Sequence, residues 1–222
     1  MPLAGKGKLL TSMDIDPSDE ADFNRWYDRE HLEERVAIAG FLEARRYVAH
    51  QGRPKYLCLY STATFDVLDS PAYRAALANP TDWSTRTMAK FRNMIRAVAR
   101  VTISRGRGRG AALGIIRLRP TAGGEDALRA ALREKLDPAA SDRIISMHLI
   151  ESDPALSRPI NSTASDPGAA DWFALIDGTD VNGVSAALTA HLANHPAIKS
   201  AMISSGVYKL MWDLAKSDIT AA

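Results

Sequence analysis

The sequence predicts an α+β fold made of two tandem βαββαβ units whose sheets pack face to face within one chain. Three observations carry that prediction. One is the order of elements along residues 8–104. Another is the recurrence of that order along residues 111–214, and the third is an ordinary globular composition. The chain has 222 residues, 46% apolar and 24% charged, with 14 Gly and 11 Pro, which excludes wholesale disorder, collagen and coiled coil. No run approaches the roughly 18 apolar residues of a membrane helix, and Met1 to Lys8 lacks a signal-peptide core. The single cysteine, Cys58, excludes an internal disulfide or a multi-thiolate metal site. A soluble cytoplasmic protein is expected, without a membrane partner. The net charge of +2 gives no pull toward nucleic acid.

The elements follow in order. Lys8 to Ile15 is a short strand stopped by the turn signal Asp16-Pro17. Ser18 then caps a helix with Asp19, Glu20 and Asp22 in its first turn, where the dipole favours anions. Phe23, Trp26, Tyr27, Leu32 and Val36 recur at helical spacing, and Gly40 stops them. Phe41 to His50 and Lys55 to Phe65 are strands joined by a hairpin turn at Gln51-Gly52-Arg53-Pro54. A second helical region covers Pro71 to Ala78, breaks at Asn79-Pro80 and resumes through Thr85 to Asn93, before a strand from Ile95 to Ser104. That order is the split βαβ, ferredoxin-like unit.

The second half reads the same way. Ala111 to Leu118 is a strand, Glu125 to Leu136 a helix with an apolar face at Leu128, Ala131, Leu132 and Leu136, and Arg143 to Glu151 and Asp171 to Asp177 are strands. Val184 to Ala193 is a helix and Val207 to Leu214 a last strand. Asp16-Pro17 matches Arg119-Pro120 at an offset of 103, and Leu77 to Pro80 resembles Leu192 to Pro196 at an offset near 115. The difference is absorbed by Ser152 to Ala169, rich in Ser, Pro, Asp and Asn, which is expected to be a long, mobile loop. Residues 1–105 and 106–222 are thus read as two copies, with Arg105-Gly106-Arg107-Gly108-Arg109-Gly110 as a flexible linker between them. A four-stranded sheet with both helices on one face leaves its other face bare, and here the second copy can cover it. A homodimer is then expected to use helices or outer edges.

The run Phe23 to Arg35 (FNRWYDREHLEER), followed by Ile38-Ala39-Gly40-Phe41 and Ala44-Arg45-Arg46-Tyr47, resembles the dimeric α/β-barrel superfamily, nearest to its EthD-like and uncharacterised branches. Ala39 stands where proline is usual there, and the second copy carries Leu128 to Leu132 in place of the Trp-Tyr helix. The resemblance implies two fused repeats forming an intramolecular barrel. The superfamily holds cofactor-free monooxygenases, isomerases, cyclases, haem enzymes and members without known activity, so it implies the fold more than the chemistry.

Tyr27 and His31, four apart on a helix, are the candidate catalytic pair: an imidazole to carry a proton and a phenol to bond a carbonyl. The alternative is that Trp26 and Tyr27 are core and His31 bonds a backbone carbonyl. Glu30 with Arg29, Glu33, Glu34 and Arg35 reads as a solvated, ion-paired face. Eleven of 15 aromatic residues precede residue 106, which favours a pocket in the first half. Trp26, Tyr47, Tyr56 and Tyr60 are candidate substrate contacts, and Tyr56, Cys58 and Tyr60 share one strand face. Arg45 and Arg46 point to opposite faces, so one of them, Arg46, is the candidate for holding a carboxylate or enolate. His191 and His195 are spaced for a metal but lack the intervening Glu of a metalloprotease helix, and no metal is expected. The reading is a small-molecule enzyme without metal or nucleotide cofactor: an isomerase, lyase, cyclase or cofactor-free oxygenase acting on an apolar, carbonyl-bearing ligand. A non-catalytic binding or accessory protein is the alternative, and a haem protein ligated through His148 or His191 a minor one. If His31 works in a cleft, its ring should be partly solvent-accessible.

Overall fold

Alternating side chains decide the architecture. In β1 (Gly7–Asp14), Leu9 and Met13 face one way and Leu10 the other, and each set joins a different buried cluster. The same division runs through β2 (Phe41–Gln51), β3 (Tyr56–Thr62) and β4 (Arg92–Gly106), and through β5 (Ala112–Leu118), β6 (Ile144–Ser152), β7 (Trp172–Gly178) and β8 (Met202–Ala215). The computed structural model describes residues 4–158 and 167–220, and in it these eight strands close into one antiparallel barrel in the order β1-β3-β2-β8-β5-β7-β6-β4. The seams between the halves are hydrogen-bonded: β2 pairs with β8 and β4 with β6. The expected pair of stacked sheets is therefore one sheet closed on itself, which leaves no unpaired edge.

Three apolar layers follow. Leu10, Tyr47, Leu57, Leu59, Leu113, Ile115, Phe173, Leu175 and Tyr208 fill the lumen from both halves. Outside it, helices α1 (Glu20–Trp26), α2 (Leu32–Ala37), α3 (Pro71–Ala78) and α4 (Asp82–Met88) lie with the first half, where Trp26 and Tyr27 pack among Met13, Phe41 and Tyr60. Helices α5 (Glu125–Lys135), α6 (Val181–Ala187) and α7 (Pro196–Ala201) cover the second half, and α8 (Lys216–Thr220) follows β8. Among the described residues no helix is long and apolar enough to cross a membrane.

Several expected boundaries move for visible reasons. Asp19, not Ser18, precedes α1. Phe65 opens a short 3-10 turn instead of ending a strand, because it packs into the first-half core. Asn93, expected at a helix end, lies in β4, and Thr81 caps α4 earlier by accepting the Ser84 N–H. β8 begins at Met202, five residues earlier than expected, and α7 was not anticipated. The linker reading of Arg105 to Gly110 is corrected. Gly106 still pairs in β4, and Gly110 bonds Arg45 and Asp177 inside the barrel end. Part of the expected long loop is anchored as well. Ser157 is buried and donates to the Val98 carbonyl, while residues 159–166 lie outside those described.

Candidate functional site between the first helices and the barrel wall

The first helix does not keep one pitch. Between α1 and α2, Tyr27–His31 form a π-helical turn in which the Leu32 N–H donates to the Tyr27 carbonyl. A widened turn brings residues five apart together. His31 stacks on Trp26 with ring centroids 4.1 Å apart and meets Tyr27 edge-on at 5.3 Å. The sequence pairing of Tyr27 with His31 is present, but Trp26 is the closer ring. Such turns concentrate at functional sites.

The sheet supplies the opposite wall. Tyr56, Cys58 and Tyr60 turn toward the helices, and Tyr60 meets His31 edge-on at 6.3 Å. Strand register places Thr11, Cys58 and Arg46 side by side across β1, β3 and β2. The Arg46 guanidinium lies 4.2 Å from the Tyr27 ring centroid and donates to Asp28 Oδ1 at 3.0 Å and to Asn24 Oδ1 at 2.5 Å. Trp212 from β8 donates to the same Asp28 oxygen at 2.9 Å. Trp26 Nε1 donates to Ser84 Oγ at 3.1 Å, and Ser84 and Thr81 both donate to Glu30. Glu30 therefore ties the π turn to α4. Arg35 is buried. The solvated face expected of Glu30 and Arg35 is corrected on both counts.

The electrostatics are those of a dry, closely packed cluster. His31 is only 8% exposed, not partly open as expected, because Trp26, Tyr27 and Tyr60 surround its ring. Burial first, then the Arg35 and Arg46 cations, hold its pKa well below 6.5, so the imidazole is neutral. Burial pushes the Tyr27 and Tyr60 phenols up, and the Cys58 thiol up to about 12, so all three keep their protons. Within this cluster His31 Nδ1 and Arg46 Nε are buried without a hydrogen-bond partner, whereas the Thr11 and Tyr60 hydroxyls interact with the Tyr27 phenol, and Tyr60 also with the Cys58 thiol. The Tyr27 hydroxyl also lies 3.9 Å from Met13 Sδ. Buried polar atoms are normally satisfied, so the bare His31 Nδ1 is the feature of this cluster that packing alone does not explain.

Tyr47 is corrected. Its ring fills the lumen, on the far side of the wall from His31. Arg45 points there too. It pairs with Asp177 at 3.2 Å and donates to the Gly110 carbonyl at 2.8 Å. The sequence reading missed the charged end of the lumen that these residues join. There Lys8 donates to Ala4 O at 2.9 Å and to Ser61 Oγ, Ser61 donates to Glu43, and Glu43 pairs with Arg109. Burial and the Arg109 charge push Lys8 down to about 7, and burial pushes Asp177 up to about 6. The available signal was charge at lumen-facing positions of otherwise apolar strands. His148 sits in the same end with its ring nitrogens 2.9 Å from Ser104 and Ser146. Among the described residues no three His, Cys, Asp or Glu side chains gather as metal ligands. The His191 side chain lies outside those described.

No family model and no curated protein matches the sequence. Solved structures do match the fold. An anthrone oxidase-like protein superposes with a TM-score of 0.66 at 10% identity, covering 95% of this chain and 93% of its own. A monooxygenase-like protein of Fusobacterium nucleatum gives 0.59 at 7% identity over 96% and 95%. A variant of chlorite dismutase from Candidatus Nitrospira defluvii gives 0.53 at 10% identity over 98% and 94%. These are dimeric α/β-barrel folds, and at such identity the likeness is one of fold.

Proposed function

We propose that the chain is a small-molecule enzyme working without metal or nucleotide cofactor, and that its reaction begins with proton removal from carbon beside a carbonyl. The observation that supports this is the buried, neutral His31 imidazole, whose Nδ1 has no hydrogen-bond partner and whose ring meets the rings of Tyr27 and Tyr60 edge-on. A neutral imidazole can take the proton at Nδ1, and the Tyr27 and Tyr60 hydroxyls can donate to the oxygen of the enolate that forms. Arg46 adds a fixed positive charge over the Tyr27 ring. Trp26 orients the imidazole by stacking, and Tyr56 lines the approach beside Asn24. Because these rings enclose His31, entry requires the π turn to shift.

We read the chain as two fused ferredoxin-like repeats, 1–105 and 106–222. Strand order supports this: β4-β1-β3-β2 in the first half recurs as β8-β5-β7-β6 in the second. A non-catalytic binding protein is the second reading, favoured by the enclosure of His31. The haem reading through His148 fits poorly. Both His148 nitrogens are engaged by serines inside a packed lumen.

Anthrone, an apolar carbon acid, is a direct probe; with dioxygen it gives anthraquinone and water. Solvent deuterium exchange at its acidic carbon, followed without oxygen, isolates the proton step. The wild type should accelerate exchange, and His31→Gln should slow it by about 10²-fold with the melting temperature nearly kept. Because His31 stays neutral, the rate should hold until pH falls well below 6.5. Binding of anthrone without accelerated exchange would instead establish the non-catalytic reading.

A further inference from the structure

A cavity of about 350 Å³ opens between α3, the start of β4 and residues 153–158. That is the size of a small-molecule site. Its floor is apolar: Leu68, Leu77 and Leu156 pack there beside the buried ring of Tyr73. Its polar lining is one-sided, with three guanidinium groups, Arg74, Arg96 and Arg158, against a single carboxylate, Asp69. Asp69 is already engaged by Arg74 Nε at 2.9 Å and Nη2 at 2.6 Å.

Arg96 is held in place from behind. Its Nη1 donates to the Leu156 carbonyl at 2.5 Å, and its Nη2 lies 3.4 Å from the Tyr73 hydroxyl. Arg158 has no ion-pair partner among the described residues. An excess of guanidinium over an apolar floor, with Arg96 held in place, matches a ligand with one carboxylate on an apolar ring system, since the planar fork suits a carboxylate and the floor suits the rings. The back of the cavity is continuous with the aromatic cluster around His31: Tyr73 packs on Phe41 at 5.5 Å, Phe41 on Tyr60 at 6.3 Å, and Tyr60 meets His31. Arg96 also lies directly across from Thr11 in the strand register.

We propose that this cavity binds an apolar aromatic carboxylate, with Arg158 and Arg74 at its rim and Arg96 at its back holding the carboxylate. The site is distinct from the His31 cluster and does not depend on catalysis there. The test is a fluorescence titration of the full chain with anthracene-9-carboxylate and with its neutral counterpart 9-anthracenemethanol. The acid should bind at least about tenfold more tightly than the alcohol. Arg158→Gln and Arg74→Gln, both at exposed positions, should each weaken the acid by about fivefold and leave the alcohol unchanged. Asp69→Asn removes the competing carboxylate and should tighten the acid, a gain that a merely structural Asp69 would not give. His31→Gln should leave all these affinities unchanged, so failure of the His31 reading and failure of this one are separable. Equal binding of acid and alcohol, indifference to both arginine substitutions, or no binding at millimolar acid would each overturn the proposal.

Discussion

Replacing His148 by Gln should remove a specific part of the chain's acid sensitivity. The His148 ring lies in the barrel lumen with a serine hydroxyl 2.9 Å from each nitrogen, an arrangement that suits the neutral imidazole, one nitrogen donating and the other accepting. Burial, helped by the nearby Lys8 charge, pushes its pKa from 6.5 down to about 3. A folded-state pKa below the unfolded one contributes stability that is present above pH 6.5 and is lost as pH falls toward 3. Between pH 7 and pH 5 the loss from this one residue is about 2 kcal/mol, since each pKa unit is worth about 1.4 kcal/mol. Gln can bond both serines and does not titrate. Urea unfolding of the two proteins at pH 7 and pH 5 measures the difference directly. Asp177 works in the opposite sense, because its pKa is raised to about 6, but it is common to both proteins. The wild type should lose about 2 kcal/mol more than His148→Gln over this interval. If the two lose the same stability within about 0.5 kcal/mol, the scatter expected of extrapolated urea values, the imidazole is not held neutral by the lumen.

Lys8→Met should flatten stability in a higher window. The Lys8 pKa is depressed from 10.5 to about 7, so its contribution is lost as pH falls toward 7, and the wild type should lose about 2 kcal/mol more than the variant between pH 9 and pH 7 in the same assay. Gly114→Val should destabilise by about 1–3 kcal/mol, because even a Cβ there would stand 2.7 Å from Val184 Cγ1 and 3.4 Å from Ile176 Cβ; thermal unfolding with an unchanged midpoint would show that α6 can yield.

How much of this was legible in the sequence depends on the range of the interaction. Element type and order were readable because period-2 and period-3.6 patterns are local, and the turn signals at Asp16-Pro17 and Gln51 to Pro54 break them where the strands end or turn. The wall of the candidate site was readable for the same reason, since Tyr56, Cys58 and Tyr60 must share a face. What periodicity could not supply is where the helical pitch changes. A regular α-helix places His31 over Tyr27, whereas the π turn carries it onto Trp26. Nor could it supply the pairing of β2 with β8 and of β4 with β6. Those seams join residues more than a hundred positions apart, or strands separated by β5 and α5, and only they give Lys8, Arg45, Tyr47, His148 and Asp177 a common interior. The two kinds of miss have different consequences. The closed barrel converts lumen-facing charges, harmless on an open sheet in water, into a buried network whose pKa values move. The pitch change does the reverse for the outer layer: it packs one imidazole against an indole, leaves its Nδ1 without a partner, and so turns an otherwise ordinary amphipathic helix into a place where a neutral base faces two protonated phenols.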